Sequence, residues 1–256
     1  ILDLGKICAH HAKFFGELPV KQYVFLTMVV GDGYGGLEHL DSTSLMCKRE
    51  DLPALDMQDI SKGYRGFLGL CSHEYFHLWN VKRIRPEVLK QAKLSHEVHT
   101  ELLLAFEGIT SYYDDLALVR SGCIEPSSYL GLLAQTVTRV MRGSGRYKQS
   151  VAESSFDAWT RFYKQDENAP NAIVSYYTKG SLVAFSLDML LRDLTGNHFN
   201  LDDLMRLLWE RYGRTDIGVP EHGLESLASE IAGSDLSAFF DQAVHGRDDL
   251  PLEKCF

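Results

Sequence analysis

Apolar and polar positions divide the chain into a short extended part and a long helical one. After an opening helix-like stretch, residues 21–30 (KQYVFLTMVV) are rich in β-branched and aromatic side chains, the composition of a strand. Gly31, Gly33, Gly35 and Gly36 then punctuate a loop, and residues 37–46 read as a second extended segment. From about Met57 the apolar spacing changes to steps of three and four. Over residues 64–79, Tyr64, Phe67, Leu68, Cys71, Tyr75 and Leu78 fall on one helical stripe. Phe76 and Trp79 widen that stripe, which predicts a helix buried on several sides. It must end before Pro86, because proline disfavours helical geometry in the residue ahead of it. Residues 101–119 predict a second strong helix with Leu102, Phe106, Ile109, Tyr113 and Leu116 inward. Further helices are expected near 126–141, 176–194, 201–212, 221–231 and 236–244. Gly196, Gly213, Gly233 and Gly246 stand where helix ends call for left-handed backbone. The fold class is α+β, mostly α, with a β-rich portion over residues 1–55 and a helical portion over 56–256.

Composition narrows the function classes. The chain has 256 residues, of which 45% are hydrophobic and 24% charged, enough for one large domain or two small ones. No window approaches 18 uninterrupted apolar residues, so no membrane span is expected. With 26 basic against 35 acidic side chains the formal charge is −9, which argues against nucleic acid as a partner. Cys8, Cys47, Cys71, Cys123 and Cys255 are odd in number and lack a C-x-x-C pair, so neither a disulfide framework nor a sulfur-ligated zinc site is expected. They favour a reducing, cytoplasm-like compartment. The chain opens on Ile1 and its tail, DDLPLEKCF, reads as the start of a linker, as in a piece of a longer protein.

One motif carries chemistry. His73-Glu74-Tyr75-Phe76-His77 is an H-E-x-x-H sequence on the helix expected to be most buried. Positions i and i+4 share a helix face about one turn apart, so both imidazoles can reach a single zinc ion. Glu74, one residue after the first histidine, lies beside such an ion rather than on it, where a carboxylate can take a proton from water. Two histidines and a glutamate in an apolar helix would be costly without a cation. A catalytic zinc needs a third protein ligand. Glu107, a lone carboxylate in the apolar run LLLAFEGITSYYDDL, is the candidate, and Gly108 beside it permits close approach of another backbone. A salt bridge to Lys82, Arg83 or Arg85 is the alternative use of Glu107, although those bases are expected to pair with Asp114 or Asp115. The nearby Ser95-His96-Glu97-Val98-His99 spaces its histidines at i and i+3 in a polar stretch and reads as a solvated helix start.

HEYFHLWNVKRIRP (residues 73–86) followed by EGITSYYDDL (residues 107–116) resembles the glycyl aminopeptidase family of zinc metallopeptidases. These are gluzincins, relatives of aminopeptidase N with a thermolysin-like catalytic domain. DGYGGLEH (residues 32–39) and SYYTKGSLVAF (residues 175–185) match two further family segments in the same order. The resemblance implies one Zn²⁺ held by His73, His77 and Glu107, with Glu74 as general base. It implies that Tyr177 donates a hydrogen bond to the oxyanion and that Glu38 holds the free α-amine of a peptide. Gly35 and Gly36 would leave the strand edge open for the peptide to lie against as an added strand. His39 stands where aminopeptidase N has asparagine, and the interval from His77 to Glu107 is longer than in that group. The family also implies an amino-terminal β domain and a carboxy-terminal PDZ domain outside this chain. The activity expected is removal of amino-terminal glycine or alanine from peptides. A thermolysin-like endopeptidase, or a peptide-binding module with a structural zinc, are the rivals.

Overall fold

In the computed structural model, residues 1–54, 59–93 and 95–255 are described. The start of the helical portion, placed near Met57, falls outside them. The chain forms two compact units, Ile1–Lys82 with Tyr113–Leu132, and Arg83–Tyr112 with Leu133–Phe256.

The first unit opens with α1 (Leu2–Phe15), closed by Gly16 in the left-handed conformation at φ 78°. Three strands follow, β1 (Val24–Val30), β2 (Gly35–Glu38) and β3 (Ser42–Lys48). β3 lies in the middle, parallel to β1 and antiparallel to β2. The extended segment expected over 37–46 is therefore two strands. The chain reverses between them, and the His39 amide donates to the Ser42 carbonyl at 2.8 Å to close the turn. Along β3, Thr43, Leu45 and Cys47 point inward while Ser44 and Met46 face out, the period of two that one covered face demands.

That face packs on α2 (Lys62–Phe76), with Leu45 against Leu70 and Cys71. Ser61 begins α2 by accepting a hydrogen bond from the Tyr64 amide at 3.1 Å. Tyr64, Leu68, Cys71, Tyr75 and Phe76 are all buried, so the helix is enclosed on several sides as its sequence predicts. It stops three residues before Trp79. There Leu78 and Trp79 donate to carbonyls three residues back, a tightened last turn. Val81 then takes φ 116°, a strained value for a β-branched residue. α1 braces α2 through aromatic rings, Phe15 lying 5.4 Å from Phe76 between centroids, and Phe15 also stacks on Trp79 beyond the helix end at 4.8 Å. The contact includes one buried polar pair, His11 Nε2 with Ser72 Oγ at 2.9 Å. Burial lowers the His11 pKa to about 3, so the ring stays neutral. α3 (Ile109–Arg120) and α4 (Pro126–Arg142) also contribute to this unit.

The second unit is helical. α5 (Val151–Phe156), α6 (Thr178–Leu194), α7 (Leu201–Leu208), α8 (Gly223–Ala232) and α9 (Ser237–Phe240) form its frame. Capping boxes at Ser150 with Glu153 and Asn200 with Asp203 begin α5 and α7. Buried Asp188 on α6 accepts from the Leu201 amide at 2.8 Å, from Tyr112 Oη at 2.9 Å and from Arg192 Nε at 3.2 Å, tying α6 to the start of α7.

Three helices differ from the sequence expectation in one way. The turns Leu104–Gly108, Trp209–Gly213 and Asp241–His245 are π-helical, widening stretches whose apolar spacing reads as ordinary α-helix. Of the four glycines expected at left-handed helix ends, Gly196 and Gly233 adopt that geometry. Gly213 and Gly246 do not. A Cβ on Gly213 would lie 2.2 Å from the Trp209 ring, and on Gly246 2.6 Å from the Gln242 carbonyl, so lack of space selects glycine there.

Candidate active site

The H-E-x-x-H sequence forms the last turn of α2. His73 is partly buried and its Nδ1 meets Asp114 Oδ2 at 3.0 Å, while buried His77 gives Nδ1 to the Asn80 carbonyl at 2.8 Å. The two rings lie 4.7 Å apart at 87°. A carbonyl or carboxylate partner fixes Nδ1 as the protonated nitrogen, so Nε2 is the nitrogen each ring would turn to a cation. Asp114 and Asp115 form a poorly hydrated carboxyl pair. Loss of water raises the Asp114 pKa against the opposing pull of His73, and burial plus the Asp114 charge push Asp115 up to about 8.

Glu74 is 5% exposed and lies directly beneath β2. A Cβ on Gly36 would sit 2.2 Å from Glu74 Oε1, so only glycine lets the carboxylate approach this strand. Gly36 is thus occupied in admitting Glu74, whereas a Cβ at Gly35 would meet nothing within 4 Å. β2 is an end strand of the three-stranded sheet. Glu38, two residues further on, pairs with Lys82 Nζ at 2.9 Å. The ligand atoms of Glu38, Glu74 and His77 lie within 4.8 Å of one another. Lys82 therefore does not pair with Asp114 or Asp115 as expected. Arg85 binds Asp216 at 3.1 Å, while Asp114 is held by His73. The bases sit on a turn whose direction the local sequence does not determine.

In the second unit, Glu107 belongs to the π-helical turn Leu104–Gly108. The close approach expected at Gly108 is made by Gly180 of α6, whose Cα would be 2.7 Å from a Cβ on Gly108. This glycine pair brings the turn against the segment that carries Tyr177. Burial raises the Tyr177 pKa strongly, and the Glu107 charge raises it further. The Tyr177 hydroxyl is 3.1 Å from that of Tyr163. The second histidine pair has a different use, since His99 Nδ1 binds the Phe156 carbonyl at 2.8 Å.

Sequence reasoning named the residues on α2 and missed what holds them. Asp114 is visible as one of two adjacent aspartates in an apolar run, a signal read only as a partner for lysine or arginine. Asn80, acting through its backbone, leaves no side-chain signal at all.

Fold and site define a class: a mostly helical α+β chain presenting H-E-x-x-H at the end of a buried helix beneath a glycine-bearing edge strand. The M61 glycyl aminopeptidase family model matches residues 66–183. The structure is similar to a crystal structure of an aminopeptidase N family protein from Idiomarina loihiensis, with 46% identity and a TM-score of 0.97 over 99% of this chain. The chain belongs to the M61 glycyl aminopeptidase family. It spans 43% of the length of the Idiomarina protein. No curated protein matches it. Among the described residues no helix is long and apolar enough to cross a membrane.

Proposed function

We propose that this chain carries the machinery of a zinc-dependent aminopeptidase that removes small residues, glycine or alanine, from peptides with an unblocked amino terminus. The observation that carries the reading is the imidazole pair, each ring held through Nδ1, with the Glu74 carboxylate between them in sequence. Glu107, the lone carboxylate in the apolar run LLLAFEGITSYYDDL, would be the third ligand. Two imidazoles and a carboxylate are a donor set that suits zinc and leaves room for water.

When bound, zinc would polarise the scissile carbonyl and lower the pKa of water to about 7. Glu74 would take the proton from the attacking water and deliver it to the leaving amine. Its buried place against Gly36 keeps the carboxylate from wandering. Tyr177 would donate to the developing oxyanion, and its raised pKa keeps that proton in place at neutral pH. Glu38 would bind the α-amine. It already faces one ammonium, that of Lys82, and lies close to Glu74, so a peptide amino terminus gripped there is near the reacting groups. The backbone of β2 would hold the peptide as a further strand.

Peptides with unblocked and acetylated amino termini separate this reading from an endopeptidase. Alanyl and glycyl amides should be hydrolysed and their acetylated forms left intact; cleavage of the blocked peptides at a similar rate would overturn the aminopeptidase assignment. Gly36→Ala tests the seat of Glu74. Because the new methyl must displace the carboxylate, and a 1 Å displacement can cost about a hundredfold, kcat should fall by roughly that factor. Gly36 lies on an exposed strand, so circular dichroism should be unchanged. Unaltered kcat would show that Glu74 needs no such seat.

A further inference from the structure

Tyr177 does not stand alone in its unit. Tyr163, on the short turn Phe162–Lys164, places its hydroxyl 3.1 Å from that of Tyr177 and 3.2 Å from that of Tyr176. Phe162 backs the group, its ring 4.7 Å from Tyr176 and 5.7 Å from Tyr177. The Tyr176 and Tyr177 rings also stack at 4.7 Å. Tyr163 thus lies within hydrogen-bond reach of both other phenols.

Counting protons leaves two orders for these hydrogen bonds. A phenol has one proton to donate and two lone pairs to accept with. Tyr176 donates to Tyr163. The Tyr163 proton can then go to the Tyr177 oxygen, and the Tyr177 proton is directed away from Tyr163. The opposite order, with Tyr177 donating to Tyr163, would spend the one proton that an oxyanion requires. A growing negative charge beyond Tyr177 therefore favours the first order, because each phenol polarises the next.

We propose that Tyr163 is a positioning residue for the reaction: it donates to the Tyr177 oxygen, within a chain begun by Tyr176, and so turns the Tyr177 proton toward the oxyanion. This rests on the assignment of Tyr177 as the oxyanion donor and adds to it a residue outside the motifs that define the family resemblance. In this role Tyr163 acts through Tyr177, and because the residue is 67% exposed, its hydroxyl rather than its packing is the part that matters.

The test is a double-mutant cycle in the zinc-loaded full chain, with kcat and KM on an alanyl amide. Tyr163→Phe keeps the ring and removes both hydrogen bonds. It should lower kcat about tenfold and leave KM within about twofold, the pattern of an interaction made in the transition state. Tyr177→Phe should lower kcat by about a hundred- to a thousandfold. Adding Tyr163→Phe to Tyr177→Phe should then cost nothing more, whereas a packing role would cost the same factor in both backgrounds. Wild-type kcat in Tyr163→Phe, or additive losses in the double variant, would overturn the proposal while leaving Tyr177 in place. Full turnover in Tyr177→Phe would remove the underlying assignment and this one with it.

Discussion

Glu74→Gln is expected to retain zinc and lose turnover by about three orders of magnitude, within the range a positioned general base supplies. The substitution is nearly isosteric, which matters because Glu74 is only 5% exposed and a Cβ at Gly36 would already collide with it. It leaves the two imidazoles and their Nδ1 partners untouched. Metal content and steady-state kcat measured on the same preparation separate the two effects. A zinc-replete variant with appreciable peptidase activity would refute Glu74 as the base.

Zinc removal is expected to abolish activity and to lower thermal stability together. His73 and His77 share the end of one helix, so a cation on both would fix that helix end. Any ligand that binds only the folded state stabilises it, by about 4 kcal/mol at a thousand times its dissociation constant. Dialysis against a chelator should therefore bring activity below about a thousandth and lower Tm, and one equivalent of zinc should restore both. Glu107→Gln should act on the same axis, giving less than one zinc per chain after dialysis. Activity that survives complete zinc removal would end the metallopeptidase reading.

Much of this was legible in the residues because it is local. The spacing of Tyr64, Leu68, Cys71 and Tyr75 predicts α2, and the same helix aligns His73 with His77. Glu107 stands out as a lone carboxylate in an apolar run, and Gly108 announces the close approach that Gly180 makes. Other features leave no such trace. The π-helical turns shift a hydrogen-bond register without altering which residues are apolar, so they read as plain helix. Gly36 and Glu74 are 38 positions apart, and nothing in either neighbourhood says that one makes room for the other. The sequence predicts pairing of Lys82 with Asp114 or Asp115, yet the turn after α2 sends it to Glu38 on β2.

The amino-acid sequence by itself determined the mostly helical class and the helix bearing the two histidines, since each depends on residues within a few turns of one another, and it determined the family through motifs that are each local. Only the tertiary structure decided the order of the strands, the seat of Glu74 against Gly36, the anchoring of His73 by Asp114 and the tyrosine chain behind Tyr177. These depend on which distant segments pack together. Packing answers to the shape and burial of the whole chain, whereas periodicity answers only to the geometry of one element.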